Sequence, residues 1–307
     1  MATLLADVGG TNARLAIARN GVIDGETVTR FRGDDYSSFD DVVRQFLQEQ
    51  DAPRITSVAV AVAGPVSGGM AQLTNRDWDF SEDRLARLTD ADQVRLINDL
   101  TALGYATPSL SGDGLGILRE APAERHRNGQ SLVVGAGTGF NVCAVKVLSD
   151  HRITCLEAEE GHTYLPDIIM DRLRDELADK ADQFFSVEET FAGRGLSRLH
   201  ALRTDTAPIR SEMIAEAASQ GDPDADATYR MFAEMFGLMC RELALRFMPM
   251  DGMFLAGSVG RSLSNRLDLL VPAFLSDEQM RQIPENVPLL LIKDDMAALQ
   301  GCLAALD

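Results

Sequence analysis

Six residues near the start, Asp7-Val8-Gly9-Gly10-Thr11-Asn12, end the apolar run Thr3–Ala6 with a carboxylate, two glycines and a hydroxyl. Glycines let a chain turn tightly and let a phosphate approach free N–H groups, and the Thr hydroxyl adds a donor. An Asp at the end of a strand can hold a hydrated Mg²⁺ that bridges phosphate oxygens. A plain hairpin turn suits the same residues, since Gly-Gly is a hairpin signal. The second such turn is Gly135-Ala136-Gly137-Thr138-Gly139. It is not a Rossmann fingerprint, because Phe140 stands where a third Gly would be and a strand, not a helix, follows. It is not a Walker A loop either, because no Gly-Lys-Ser/Thr follows. A second phosphate cradle and a hairpin turn both remain open.

Acidic residues form three further groups. Asn98-Asp99 follows Leu96-Ile97, where a strand passes into a helix. Such a position suits an N-cap, and it equally aims a carboxylate at a cleft as a general base. Glu157, Glu159, Glu160 and His162 cluster in sequence. Such a cluster can be a solvated loop, or a site whose carboxylates and imidazole bind the vicinal hydroxyls of a sugar. Glu188 and Glu189 lie near a helix start, where acidic residues also suit the macrodipole.

The elements that must position these groups follow from periodicity. Thr3–Ala6, Arg14–Ala18, Glu26–Phe31, Thr56–Ala63 and Val94–Ile97 read as strands. Ser37-Ser38 before Phe39, Val42, Val43, Phe46 and Leu47 predicts a Ser-capped helix, and 98–106 a second helix. Residues 112–128, with charges from Glu120 to Arg127, read as a loop, with a domain boundary just before it. Strands are expected at Ser131–Val134, Asn141–Val147, Gly252–Ala256 and Pro288–Ile292. Helices are expected at Ile168–Ala178, Ser197–Arg203, Ser211–Ala218, Pro223–Met248 and Met296–Leu306. LLADVGGTNARLAI and LVVGAGTGFNVCAV share a strand–turn–strand pattern, which suggests two related halves.

At 307 residues the chain is long enough for about two domains. Its net charge of −18 argues against nucleic-acid binding, which needs a basic footprint. No apolar run is long enough to span a membrane, and the start carries no basic segment or cleavage site of a secretory signal. Cys143, Cys155, Cys240 and Cys302 are widely spaced, so reduced, buried thiols in a cytoplasmic protein are expected.

Taken in order, these pieces resemble the bacterial glucokinases of the hexokinase–actin–Hsp70 superfamily. The first phosphate motif is residues 7–14. Leu73-Thr74-Asn75 with Trp78 and Phe80-Ser81 is similar to the family's sugar-side hairpin, and Ile97-Asn98-Asp99 to its catalytic strand end. Residues 135–139 correspond to the second phosphate motif, and Phe254-Leu255-Ala256-Gly257 to the adenosine motif. Glu159 with Gly161-His162, and Glu188 ahead of Gly193 and Gly195, match sugar-binding positions.

The resemblance implies an α/β protein with two actin/hexokinase-like (ribonuclease H-like) domains around a central cleft. One would cover 1–107 plus 294–307, the other 108–293. It implies phosphorylation of glucose by ATP with Mg²⁺, with Asp99 as general base on the 6-hydroxyl. Asn75, Asn98, Asp99, Glu159, His162 and Glu188 would contact the sugar. Ala6, Asp7, Val8, Gly9, Gly10, Thr11, Gly137 and Thr138 would border the phosphates, Gly257 and Ser258 the adenosine, and Asp7 the metal. A homodimer is a further family expectation.

Three places depart from the pattern, one of them the loop Ala256-Gly257-Ser258-Val259-Gly260, which lacks the more usual second consecutive Gly. Glu160 stands where the family has Gly, adding bulk and charge beside the sugar, and Asn141 stands where a small residue is common. These put the identity of the sugar in question more than the reaction, so a kinase for another hexose is one alternative. A sugar-binding regulator without chemistry and a sugar-independent ATPase are the others.

Overall fold

The computed structural model describes residues 2–73 and 76–306. The backbone divides into two units: Met1–Leu110, Ser149–Cys155 and Asp294–Asp307 in the first, Ser111–Leu148 and Leu156–Lys293 in the second. The segment Ser149–Cys155, which the sequence reading placed with the second, therefore groups with the first. Cys155 Sγ lies 3.8 Å from the Thr101 carbonyl, and Ile153 and Cys155 pack beside Leu5, Ala102 and Tyr105.

In the first unit, strands β1 (Ala2–Val8), β2 (Asn12–Arg19), β3 (Val22–Arg32), β4 (Ile55–Val62) and β8 (Gln93–Asn98) form a sheet in the order β3-β2-β1-β4-β8. A small sheet is built from β5 (Val66–Ser67), β6 (Met70–Gln72) and β7 (Asp79–Ser81). Strands β1, β4 and β8 are parallel, and the register sets Val8 beside Val62 and Val62 beside Asn98. The carboxyl ends of these strands thus share one edge, with Asp7 and Asp99 about two strand spacings apart, or roughly 10 Å.

Alternation along β1 assigns the faces. Leu4, Ala6 and Val8 join the core with Phe39, Val42 and Phe46 of helix α1 (Phe39–Glu49). Ser38 caps α1, its Oγ accepting from Asp41 N at 3.2 Å, as the Ser-Ser pair predicts. Leu5 packs on the other side with Ala102 and Tyr105 of α3 (Asp99–Ala106) and with Leu299 and Cys302 of the closing helix Ala297–Ala304. Asp7 shares the face of Leu5 by the same alternation. The two helices cross so tightly that a Cβ on Gly301 would lie 1.7 Å from the Ala102 carbonyl oxygen.

The second sheet is built from β9 (Leu115–Arg119), β10 (Gln130–Ala136), β11 (Phe140–Val147), β13 (Gly252–Ala256) and β14 (Leu289–Ile292) of the second unit and from β12 (Ile153–Glu157), whose first three residues group with the first. Their order is β12-β11-β10-β13-β14-β9. β10 and β11 are antiparallel, while β10, β13 and β14 are parallel. The order β12-β11-β10-β13-β14 repeats β3-β2-β1-β4-β8, so the strand–turn–strand echo in the sequence corresponds to a repeated topology. Behind the sheet runs the long helix Pro223–Phe247, started by Asp222, whose side chain accepts from Ala225 N at 2.8 Å. It buries Phe232, Met235, Phe236 and Met239 in the core of this unit.

Several elements depart from the sequence reading, which also lacked the helices Gly257–Leu263 and Leu267–Phe274. β9 lies inside the stretch read as loop, β12 was not foreseen, and helix α2 (Glu82–Thr89) follows β7. No disulfide forms among the described residues. Cys143, Cys240 and Cys302 are buried as expected, but Cys155 is half-buried, because it sits on the edge strand β12. No helix among the described residues is long and apolar enough to cross a membrane.

Candidate active site

Asp99 is the first residue of α3 and Asn98 its cap. Asn98 Oδ1 and Asp99 Oδ1 both accept from Leu100 N, at 2.9 and 2.8 Å. Asn98 Nδ2 donates to the Gly64 carbonyl at 3.1 Å, which ties the end of β8 to the turn after β4. Desolvation raises the Asp99 pKa to about 6, opposed by the Leu100 N–H and aided by the charge of Asp7. Asp7 is raised by burial as well, while Arg14, its cross-strand partner, pulls it back. Two carboxyl groups at one sheet edge therefore hold protons above the ordinary carboxylate range.

The glycine turn beside them is held open by its own backbone. Gly9 N donates to the Asn12 carbonyl at 2.9 Å, and Gly33 N to the Thr11 carbonyl at 2.8 Å. Arg76 Nε donates to the Gly10 carbonyl at 3.2 Å. Only the Asn12 oxygen, at 3.7 Å, comes near the Cβ position of Gly9, and Thr11 is exposed. Thr74 and Asn75, the latter expected at the sugar, lie outside the described residues. Trp78 and Phe80 are buried with Phe39, with ring centroids at 6.4 and 5.0 Å from it, so they support the hairpin as core residues.

In the second unit, Glu159 and His162 are exposed on a short turn after β12. Asn141 organises that turn from β11. Its Nδ2 donates to Glu159 Oε2 at 3.2 Å, and its Oδ1 accepts from Glu160 N at 3.0 Å. Glu160, expected to crowd the sugar, is turned inward. Its side chain is 9% exposed and forms an ion pair with Arg246, in the last turn of the long helix. The bulk and charge of this substitution are thus absorbed by the core of the unit. Gly161 must be glycine, since a Cβ there would fall 2.1 Å from the Phe140 carbonyl oxygen.

Glu188 lies in the helical turn Val187–Phe191, capped by Ser186. Its Oε2 accepts from Phe140 N at 2.9 Å and its Oε1 from Arg194 at 2.6 Å. The turn 137–139 closes on itself, Gly137 N donating to the Gly139 carbonyl at 2.9 Å. Gly257 has φ +90°, and a Cβ on it would lie 2.3 Å from the Ala136 carbonyl oxygen, so glycine is required twice over. Ser258 N and Oγ both lie 3.6 Å from the Cβ position of Gly137, which joins the two predicted nucleotide segments. Beside Ser258 opens a shallow recess lined by Leu196, Ser211, Glu212, Tyr229, Val259 and Ser262.

A family model named glucokinase matches residues 4–307. A curated glucokinase of Caulobacter vibrioides is 30% identical over 318 aligned residues, covering 99% of this chain and 94% of that protein. The chain belongs to the glucokinase family. Among solved structures, a glucokinase from an Antarctic psychrotroph superposes with TM-score 0.84 at 27% identity, covering 99% of this chain and 98% of that one. A ROK family glucokinase from Streptomyces griseus, in complex with glucose and AMPPNP, shares the fold at TM-score 0.66 and 20% identity, covering 100% of this chain and 99% of that one.

As a sugar kinase of the glucokinase family, the chain acts on a hexose with ATP. Sequence reasoning named Asp7, Asp99, Glu159, Glu188, both glycine turns and Gly257-Ser258. It missed Asn141 as an organiser, Arg194, Arg246, and the recess residues Leu196, Ser211, Tyr229 and Ser262. The recess is assembled from separate helices, and Tyr229 and Ser262, whose hydroxyls bond, are 33 positions apart. Asn141 alone left a signal, as a departure from the family pattern.

Proposed function

We propose that this protein transfers the γ-phosphoryl group of ATP to the 6-hydroxyl of glucose, with Asp99 as the general base. The observation that carries this reading is the carboxyl of Asp99, raised to about 6, at the sheet edge that also bears Asp7 and the Gly9–Thr11 turn. A base with a pKa near 6 is ionised at neutral pH yet still accepts a proton as the hydroxyl attacks. Phosphoryl transfer needs positioning and charge stabilisation more than covalent help from the protein.

The other residues take roles around that step. Glu159, His162 and Glu188 accept and donate to ring hydroxyls, and Asn98 holds the end of β8 while Asp99 works. Such polar contacts discriminate strongly, because a missing hydroxyl leaves its partner unpaired. Gly9, Gly10, Thr11, Gly137 and Thr138 offer main-chain and hydroxyl donors to the phosphates. Ser258 and the recess beside it, with apolar walls from Leu196 and Val259 and polar groups from Ser211, Glu212 and Tyr229, suit an adenosine. The repeated sheet order in the two units supports the two-domain actin/hexokinase-like reading.

Asp7 fits the metal implied by the family. Its carboxylate is a hard oxygen donor whose burial and nearness to Asp99 make a cation welcome there. No cluster of three or more His, Cys, Asp or Glu side chains forms a cage among the described residues. Mg²⁺ suits such a place, since it is held by one or two carboxylates, waters and substrate phosphates. When bound, Mg²⁺ neutralises polyphosphate charge.

The test is ADP release with Mg-ATP and glucose, mannose, fructose, N-acetylglucosamine, N-acetylmannosamine or no sugar. Glucose should give the highest kcat/KM, and the no-sugar control almost none. Asp99→Asn should lower kcat at least about 100-fold while glucose still binds by calorimetry. An active Asp99→Asn enzyme would remove the base assignment, and turnover with another sugar alone would remove glucose.

A further inference from the structure

One guanidinium in the second unit touches both the sugar carboxylate and the phosphate turn. Arg194 Nη2 donates to Glu188 Oε1 at 2.6 Å, and Nη1 donates to the Thr138 carbonyl at 3.2 Å. Its Nε donates to Glu189 Oε1 at 2.9 Å. Glu189 is held independently by Arg198 at 2.6 Å, and Glu188 keeps the Phe140 N–H at 2.9 Å. Next to Arg194, Gly193 N donates to the Gly137 carbonyl at 2.8 Å, so the start of the helix Gly193–Thr204 is already fastened to the turn. Phe140, which donates to Glu188, is the residue that ends the same turn.

We propose that Arg194 is a positioning residue that couples sugar binding to nucleotide binding. The inference rests on the reading of Glu188 as a sugar ligand and of 137–139 as a phosphate turn. A sugar hydroxyl donating to Glu188 Oε1 competes with Arg194 for that oxygen. The guanidinium it loosens is still anchored by Glu189 and the Thr138 carbonyl, so its positive charge stays beside the turn. A cation released from a carboxylate is a better partner for a polyphosphate than one already neutralised. Glucose therefore tightens nucleotide binding, and by linkage the nucleotide tightens glucose binding by the same factor. Arg194 can be removed without stranding a carboxylate, because Glu188 and Glu189 each retain another donor.

Calorimetry on the full chain tests this with glucose and Mg-AMPPNP, each titrated alone and at saturation of the other. In the unaltered protein each ligand should tighten the other about 10-fold, within the usual range of coupling between sites. In Arg194→Ala the factor should drop below about twofold in both directions, with the melting temperature of the free protein little changed. Arg194→Lys, which keeps the charge but not the fork, should give an intermediate value. A coupling factor that survives Arg194→Ala would overturn the proposal, as would its absence from the unaltered protein. Glu188→Gln separates this from the underlying assignment. If it weakens glucose binding while Arg194→Ala leaves the coupling intact, the coupling role alone falls. Glucose affinity untouched by Glu188→Gln would overturn the sugar-site reading and the coupling with it.

Discussion

Asp99 holds its proton more tightly in the folded chain than in the unfolded one, with a pKa of about 6 against an ordinary 3.8. Its contribution to stability is therefore fully present below about pH 4 and is lost as the pH rises through 6. Asp99→Asn should stabilise the free protein at pH 7.5 by about 1–3 kcal/mol, and have little effect near pH 4. Urea unfolding at the two pH values checks this. An equal effect at both would show that the carboxyl is not desolvated. The same proton governs activity. Since kcat/KM reports the free enzyme, it should fall about tenfold per pH unit below pH 6, as the base is lost. Activity and stability then move in opposite directions across one titration, as expected of a base held out of water for chemistry.

Between elements, the turn bearing Glu159 depends on two residues from elsewhere in the chain. Asn141→Ala removes the donor that orients the Glu159 carboxylate, and should raise the KM for glucose about 5–10-fold with the KM for ATP unchanged. Arg246→Ala leaves Glu160 as an unpaired carboxylate with a side chain 9% exposed, and should cost about 3 kcal/mol of stability. Adding Glu160→Gly should restore most of that loss, which thermal melts of the single and double variants would show. The crossing of α3 with the closing helix is equally unforgiving. Gly301→Ala puts a methyl against the Ala102 carbonyl and should cost about 3 kcal/mol. These dependences mark where sequence reading stops. The strands 55–62 and 130–136 were legible as apolar runs. β9 and β12 were not, because each is a short edge strand that turns a large apolar residue to water, Ile117 63% and Leu156 61% exposed. Helix α2, EDRLARLT, is amphipathic but only 8 residues long with two leucines, too short for its period to stand out. The glycine turns and the candidate Asp and Glu positions were legible because their chemistry is local. The inward turn of Glu160 was not, because its partner Arg246 lies 86 positions away.

Over the whole molecule, the first unit draws its core from both extremes of the described chain. Leu299, Cys302 and Ala305 are almost wholly buried, and they pack with Leu5, Ala59 and Ala102. A chain ending at residue 293 should lose protection from proteolysis within 2–110 while the second unit resists. Limited trypsin digestion read by mass spectrometry would show which unit is cut, and equal protection of both would refute the dependence. The repeated sheet order made half of this architecture readable from two short motifs. The return of the closing helix to the first unit was readable only through the family resemblance.

That discontinuity sets a timetable for synthesis. One face of the first sheet cannot be fully covered until residues 294–306 have left the ribosome, so the unit made first is finished last. At about 5–20 residues per second, the nearly 200 residues that follow position 110 take roughly 10–40 s to make. Throughout that interval the face of Leu5, Ala59 and Ala61 is only partly covered, by Ala102 and Tyr105 of α3. The second unit waits as well, for β14, so both units are completed only as residues 289–306 emerge.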